Sequence, residues 1–192
     1  MKITTTKEKI TSAVIISERV TGKKESLPIL SCVLFDAGKD LFARATNLEA
    51  GVEIKIPSEI EEKGQVAVPA SVLSQTLRSI NSEKITLKTD GPNLLIEAKG
   101  MRTLIKAVAH DEFPKLPMSG GGVKENVVSR EQLFLGIQAV LYSASISMIR
   151  PELGSVYISV RKGVITCVAT DSIRLAEKKV KGSAIREEGE IL

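Results

Sequence analysis

Tryptophan is absent from this 192-residue chain, histidine occurs once, cysteine twice, and aromatic side chains make up 3% of the residues. Each shortage removes a class of function. With His110 alone, a Ser-His-Asp triad or a histidine-rich metal site would have to be built around a single imidazole. Its setting, Ala109-His110-Asp111-Glu112-Phe113-Pro114, reads instead as the end of a strand entering a surface loop. Cys32 and Cys167 lie far apart within alternating apolar segments, so they suggest neither a disulfide framework nor a metal-ligand cluster and are expected to be buried small hydrophobes. So few rings give no platform on which single-stranded bases could stack. No run approaches the roughly 18 apolar residues of a membrane span, and Met1-Lys2-Ile3-Thr4 does not open a signal peptide. The expectation is a cytoplasmic chain with no membrane partner, metal or cofactor.

What is present is an ordinary globular composition, 43% apolar and 26% charged, with 27 Lys and Arg against 23 Asp and Glu for a net charge of +4. At roughly 150 residues per domain the length allows one or two domains, and about 70% of the unfolded surface could be buried. The most informative feature is an internal repeat. The segment Leu27-Pro28-Ile29-Leu30-Ser31-Cys32-Val33-Leu34-Phe35 aligns with Arg150-Pro151-Glu152-Leu153-Gly154-Ser155-Val156-Tyr157-Ile158, setting Pro28 on Pro151 at an offset of 123. The same offset sets Thr6-Lys7-Glu8-Lys9-Ile10 on Ser129-Arg130-Glu131-Gln132-Leu133. Ala45-Thr46-Asn47 falls on Ala169-Thr170-Asp171 at 124, and Gly64-Gln65-Val66 on Gly189-Glu190-Ile191 at 125. Four segments in one order, with only small insertions between them, are hard to explain by chance.

Each copy opens with a hydroxyl N-cap and a helix. Thr6 precedes the apolar face Ile10, Val14, Ile15, and Ser129 precedes Leu133, Ile137, Val140, Leu141. Loops follow at residues 22–26 and 145–150, then alternating strands such as Val33-Leu34-Phe35 and Leu41-Phe42-Ala43-Arg44-Ala45. The first copy continues into a second half like its own opening. Pro69-Ala70-Ser71 starts a helix carrying Val72, Leu73, Leu77 and Ile80, followed by strands around Ile85–Lys88, Leu94–Glu97 and Thr103–Val108. The fold class expected is α+β, repeated units of helix, strands, helix, strands with antiparallel sheets, because parallel crossovers would demand strict alternation. Proline and glycine between Pro114 and Gly122 mark the boundary. The second copy reaches only the equivalent of Val66 or Ala67 at Leu192. The organisation expected is a complete first domain over 1–118, a linker over 119–124 and the first half of a second domain over 125–192.

Seven segments stand out in order and spacing: Met1-Lys2-Ile3, Leu27-Pro28-Ile29-Leu30, Ala45-Thr46-Asn47-Leu48-Glu49, Val68-Pro69-Ala70, Asp111-Glu112-Phe113-Pro114, Arg150-Pro151 and Ala169-Thr170-Asp171-Ser172-Ile173-Arg174-Leu175-Ala176. Together they resemble the bacterial DNA polymerase III beta subunit family, the sliding clamps. The resemblance implies the DNA clamp fold, with sheets outside and helices facing a DNA bore. It also implies three domains per chain, of which the third is absent here, and two chains closing a ring. The function implied is a non-catalytic processivity factor that encircles duplex DNA. Its partners would be the polymerase core, the clamp loader and other proteins carrying clamp-binding motifs, in a homodimer whose closure this chain would not achieve alone. In the cell it would sit with the nucleoid during replication. A ring that slides needs phosphate contact without base readout or chemistry, which agrees with weak basicity and a lack of catalytic groupings.

Carried over residue by residue, the resemblance places DNA contacts at Lys23 and Lys24 in the first loop, and at Ser147 and Arg150 in the matching loop of the second copy. Lys24 stands where the family has arginine. A second family arginine, after Pro-Ala, falls on Ser71, with Arg78 as the nearby cation on the same helix, and a tyrosine pair falls on Pro151 and Glu152. A groove for partner peptides is implied at Leu153, Thr170, Ser172, Ile173, Arg174 and Leu175, with Ser172-Ile173 where relatives often carry Gly-His. The bland alternatives are solvated loop charge for the lysines, a carbonyl-bonding loop arginine for Arg150 and plain core positions for Ile173 and Leu175. Two other functions compete: an enzyme using His110, Asp111 and Glu112, which would need further ligands elsewhere, and an unrelated repeat module acting only in protein interaction.

Overall fold

The structure, a computed structural model, describes residues 1–22, 27–116, 128–147, 149–181 and 189–191. The chain divides into two units, Met1–Met118 and Ser119–Leu192. The expected linker at 119–124 lies outside the described residues.

In the first unit the chain runs β1 (Lys2–Thr6), α1 (Lys7–Val20), a 3-10 turn (Pro28–Ser31), β2 (Cys32–Ala37), β3 (Leu41–Thr46), β4 (Gly51–Ile56), β5 (Glu59–Glu62), β6 (Gly64–Pro69), α2 (Ala70–Ser79), β7 (Lys84–Asp90), β8 (Asn93–Ala98) and β9 (Met101–Ile105). The strands form two sheets, ordered β5-β1-β7-β8-β9 and β4-β3-β2-β6. Every strand pair among the described residues is antiparallel. The unit is thus two halves of one plan, β1-α1-β2-β3-β4 and β6-α2-β7-β8-β9, each giving its first strand to the other's sheet. Alternation makes this work: Val33, Phe35, Leu41 and Ala43 from one sheet and Ile3, Ile85, Leu87, Leu94 and Ile96 from the other point into a common core. Helix α1 adds Ile10 and Val14 to it and α2 adds Leu73 and Leu77, at the spacing that puts them on one helical face.

The outer face of the β4-β3-β2-β6 sheet is also covered. Ile29, Leu30, Cys32, Leu34 and Ala67 form a second cluster under Val108 and Phe113, which is why β2 is buried on both faces. Beside it Arg44 reaches Glu53 at 2.5 Å and Asp36 at 2.7 Å and lies over the Phe42 ring. Burial opposes that charge, but the two carboxylates outweigh it and raise the guanidinium pKa.

The second unit contains α3 (Arg130–Val140), 3-10 turns at Leu141–Ser143 and Pro151–Gly154, β10 (Tyr157–Arg161), β11 (Val164–Thr170), β12 (Leu175–Lys181) and β13 (Gly189–Ile191). Its sheet, β12-β11-β10-β13, has the order of β4-β3-β2-β6 in the first unit, strand for strand. The repeat read from sequence is therefore a repeat of topology. Local bonds repeat with it: Gly22 N–H donates to Leu30 O and Ser145 N–H to Leu153 O, both at 2.8 Å.

Several expectations need correction. Thr6 is the N-cap of α1 but its hydroxyl makes no capping bond, whereas Ser129 Oγ accepts from Gln132 N–H at 3.5 Å. Val72 and Leu141 are 45% and 54% exposed and so lie off the buried faces assigned to them. The strand expected over Thr103–Val108 ends at Ile105, after which Val108 makes a single bridge to Ala67. Leu27–Leu30 leads into β2 through a 3-10 turn, with Pro28 at its start, where a missing N–H costs nothing.

Candidate functional site

The residues singled out in the sequence fall into two sets, a cationic one divided between the two units and a loop surface in the second unit. For the cationic one, Lys23 and Lys24 lie outside the described residues. Arg78 is exposed in the last turn of α2, a position the helix dipole favours for a cation, with no ion-pair partner among the described residues. Ser71 is exposed near the start of the same helix. Arg150 and Ser147 are exposed on the second unit. Ser147 Oγ accepts from Ile149 N–H at 3.3 Å, while Ser147 N–H donates to Ser145 Oγ at 3.1 Å, so the loop is held by its own hydroxyls and the Ser147 proton stays available to an acceptor. Arg150 O accepts from Leu153 N–H at 3.1 Å, fixing the backbone before the 3-10 turn and leaving the guanidinium in solvent. Sequence reasoning passed over Lys9 and Arg19, both exposed on α1. Their signal was position alone, Arg19 opposite the buried face of Ile10, Ala13, Val14 and Ser17 and Lys9 at its edge.

The second surface is built at the end of β11. Thr170 Oγ1 donates to Arg174 O at 2.6 Å and accepts from Ser172 N–H at 3.1 Å. Asp171 Oδ1 accepts from Arg174 N–H at 2.6 Å and Ile173 N–H at 2.9 Å, and Asp171 Oδ2 takes the Arg174 guanidinium at 2.8 and 2.9 Å. The Arg174 N–H first, then its guanidinium and the Ile173 N–H, pull the Asp171 carboxyl from its ordinary 3.8 to about 2. Arg174 thus braces the loop through Asp171. The loop turns through Ser172 at φ 73°, and holds Ile173 and Leu175 outward at 92% and 70% exposure. The plain core reading of those two residues is overturned. Leu153, half-buried, sits in the 3-10 turn that packs on β11, so the same strand carries both parts of the surface.

The first unit holds a twin of this loop. Thr46 Oγ1 donates to Ala50 O at 2.8 Å and accepts from Leu48 N–H at 3.0 Å, Asn47 Oδ1 accepts from the Glu49 and Ala50 amides, and Leu48 stands at φ 75°. Here an asparagine does the work of Asp171, and an alanine stands where Arg174 is.

His110 lies 3.8 Å from the exposed carboxylate of Asp111. Among the described residues no three His, Cys, Asp or Glu side chains are grouped as a metal site, and no helix is long and apolar enough to cross a membrane. Cys32 and Cys167 are buried free thiols whose pKa values burial raises.

Residues 1–117 match the family model described as DNA polymerase III beta subunit, N-terminal domain. The chain belongs to that family. It is 26% identical over 182 residues to a Beta sliding clamp of Micrococcus luteus, covering 94% of this chain and 58% of that protein. With the Beta sliding clamp of Treponema pallidum it is 27% identical over 187 residues, covering 96% and 50%. The crystal structure of the DNA polymerase III beta subunit from Thermotoga maritima matches with a TM-score of 0.86 at 25% identity, over 98% of this chain and 52% of that one. A putative DNA polymerase III beta subunit from Eubacterium rectale has the same fold, with a TM-score of 0.92 at 20% identity. The chain spans 50–58% of the length of these curated relatives.

Proposed function

We propose that this chain is sliding-clamp material: part of a non-catalytic ring that encircles duplex DNA and tethers the replicative polymerase, the clamp loader and repair proteins that carry a short binding motif. The observation that carries the reading is the family match over residues 1–117, supported by the second unit, which repeats the first unit's sheet. In this reading residues 1–118 are the first clamp domain and 125–192 belong to the second, with the helices toward the DNA and the homodimeric ring made with sequence beyond these 192 residues. Lys23, Lys24, Arg78, Ser147 and Arg150 meet phosphates, and Leu153, Thr170, Ser172, Ile173 and Leu175 receive the partner peptide. Arg174 serves that groove by bracing its loop, since its guanidinium is taken by Asp171.

The test is a paired measurement on a complete clamp carrying this segment: peptide affinity beside loader-dependent retention on DNA. Lys24→Ala is expected to weaken duplex binding equally for every sequence and to lower the salt slope by about one, the signature of one lost phosphate contact. Leu175→Ala is expected to weaken capture of polymerase-derived peptides and spare retention. Loss of both activities together in both variants would mean damaged folds rather than separate surfaces, and the reading would fail.

A further inference from the structure

The two twin loops end differently, in Gly51 in the first unit and in Leu175 in the second. Counting along the repeat, Leu175 corresponds to Gly51 and Leu153 to Leu30. A side chain begun at Gly51 would put its Cβ 2.6 Å from Leu116 Cδ2. Leu116 therefore fills the space that the Leu175 side chain enters in the second unit. Likewise Leu30, the counterpart of half-buried Leu153, is 7% exposed because Phe113 and Val108 lie over its cluster.

Residues 108–116 thus run across the first unit's copy of the surface that the second unit leaves open. Among the described residues one backbone bond ties the strap to the sheet, Val108 N–H to Ala67 O at 2.9 Å, while the Phe113 N–H to His110 O bond at 3.0 Å closes a turn within the strap itself. Pro114 keeps Phe113 extended, so the aromatic and the leucine three residues on act as two separate anchors.

We propose that the first unit carries a second peptide-docking surface, formed by Leu30, Leu34 and the 46–51 loop, and that residues 108–116 are its built-in, displaceable occupant. A ligand able to replace the strap is an extended peptide with an aromatic and an aliphatic side chain three residues apart. This rests on the peptide-groove reading of the second unit for its chemistry, though the covering of the first unit's surface stands on its own contacts. A segment held by few backbone bonds opens more readily than the sheet beneath it, which gives a competitor its entry.

The experiment uses the full chain, isotope-labelled for amide NMR, and as probe the synthetic peptide His-Asp-Glu-Phe-Pro-Lys-Leu, the strap's own residues 110–116. In the wild type the probe is expected to shift amides of 170–175 and leave 46–51 unmoved. In a Phe113→Ser/Leu116→Ser variant, which removes both anchors and keeps the space beside Gly51, amides of 46–51 should shift too, with at least tenfold tighter binding there than in the wild type. Should Phe113→Ser disturb the β2 and β3 amides, Leu116→Ser alone carries the test, because Leu116 is half-buried and stands outside the clustered core residues. Shifts at 170–175 with none at 46–51 in the variant overturn the proposal and leave the second-unit groove standing. Shifts at 46–51 alone uphold the proposal and remove the groove from the second unit. Shifts at neither overturn both.

Discussion

Gly136, in the middle of α3, is buried against β11, and a Cβ there would lie 2.8 Å from Cys167 Sγ. The repeat shows how this contact arose. Gly136 and Cys167 correspond to Ala13 and Ala43 in the first unit, so the helix has given up a methyl where the strand has gained a sulfur. Cys167 is 0% exposed and turns on one bond, leaving it nowhere to swing. Gly136→Ala should gain about 1 kcal/mol of helix propensity and lose about 1–3 kcal/mol to overpacking, a net loss of about 1 kcal/mol. Cys167→Ala should lose about 1–2 kcal/mol through the missing buried atom. Together they restore the first unit's alanine pair, so the double variant should be more stable than the sum of the singles by about 2 kcal/mol, within the range seen for touching residues. The readout is built in: both tyrosines, Tyr142 and Tyr157, belong to the second unit and there is no tryptophan, so tyrosine fluorescence during urea unfolding reports that unit alone. A coupling within about 0.3 kcal/mol of zero, or a Gly136→Ala variant stabilised by the full propensity gain, would refute the argument.

The Asp171 carboxyl is held down to about 2, below its unfolded 3.8, so its support for the 170–175 loop is complete above about pH 4 and lost as pH falls through about 2. The Arg174 side-chain resonances should follow that titration, and Asp171→Asn should abolish the dependence; an Arg174 signal that is flat over the window would count against it. Ser172→Gly should leave the loop in place and change stability by between zero and about 1 kcal/mol in the favourable direction, because φ 73° costs serine about 1–2 kcal/mol and glycine little. A clear loss of stability on urea unfolding would show that the turn is held by something other than this geometry.

Much of the fold was legible because the repeat is local in sequence and strict in spacing. Most of the helix faces and the coarse order of helix, strands, helix, strands follow from the apolar period and the turn residues between them. Strand β1 was not read, although Ile3-Thr4-Thr5-Thr6 is a β-branched run, because its partner β7 is about eighty residues away and nothing local marks the pairing. The exposure of Val72 and Leu141 was missed for a related reason. Periodicity identifies a face of about 100° or more but does not fix where its edge lies or where the helix stops, and α3 ends at Val140, one residue before Leu141.

The candidate surfaces divide along the same line. Asn47 and Asp171 could be recognised as one motif because the side chains that close the turn are adjacent in sequence, and every bond they make stays within four residues. Whether the platform beside the turn is open depends instead on a segment more than sixty residues further on. Gly51 and Leu116 have no sequence relation that announces a contact, yet their close approach covers one copy of the surface while Leu175 leaves the other exposed. Duplication preserved the polar scaffold of the turn, which must satisfy its own backbone. Apolar anchors answer only to what packs over them, so that is where the two copies diverged, and where a repeated loop acquired two different environments.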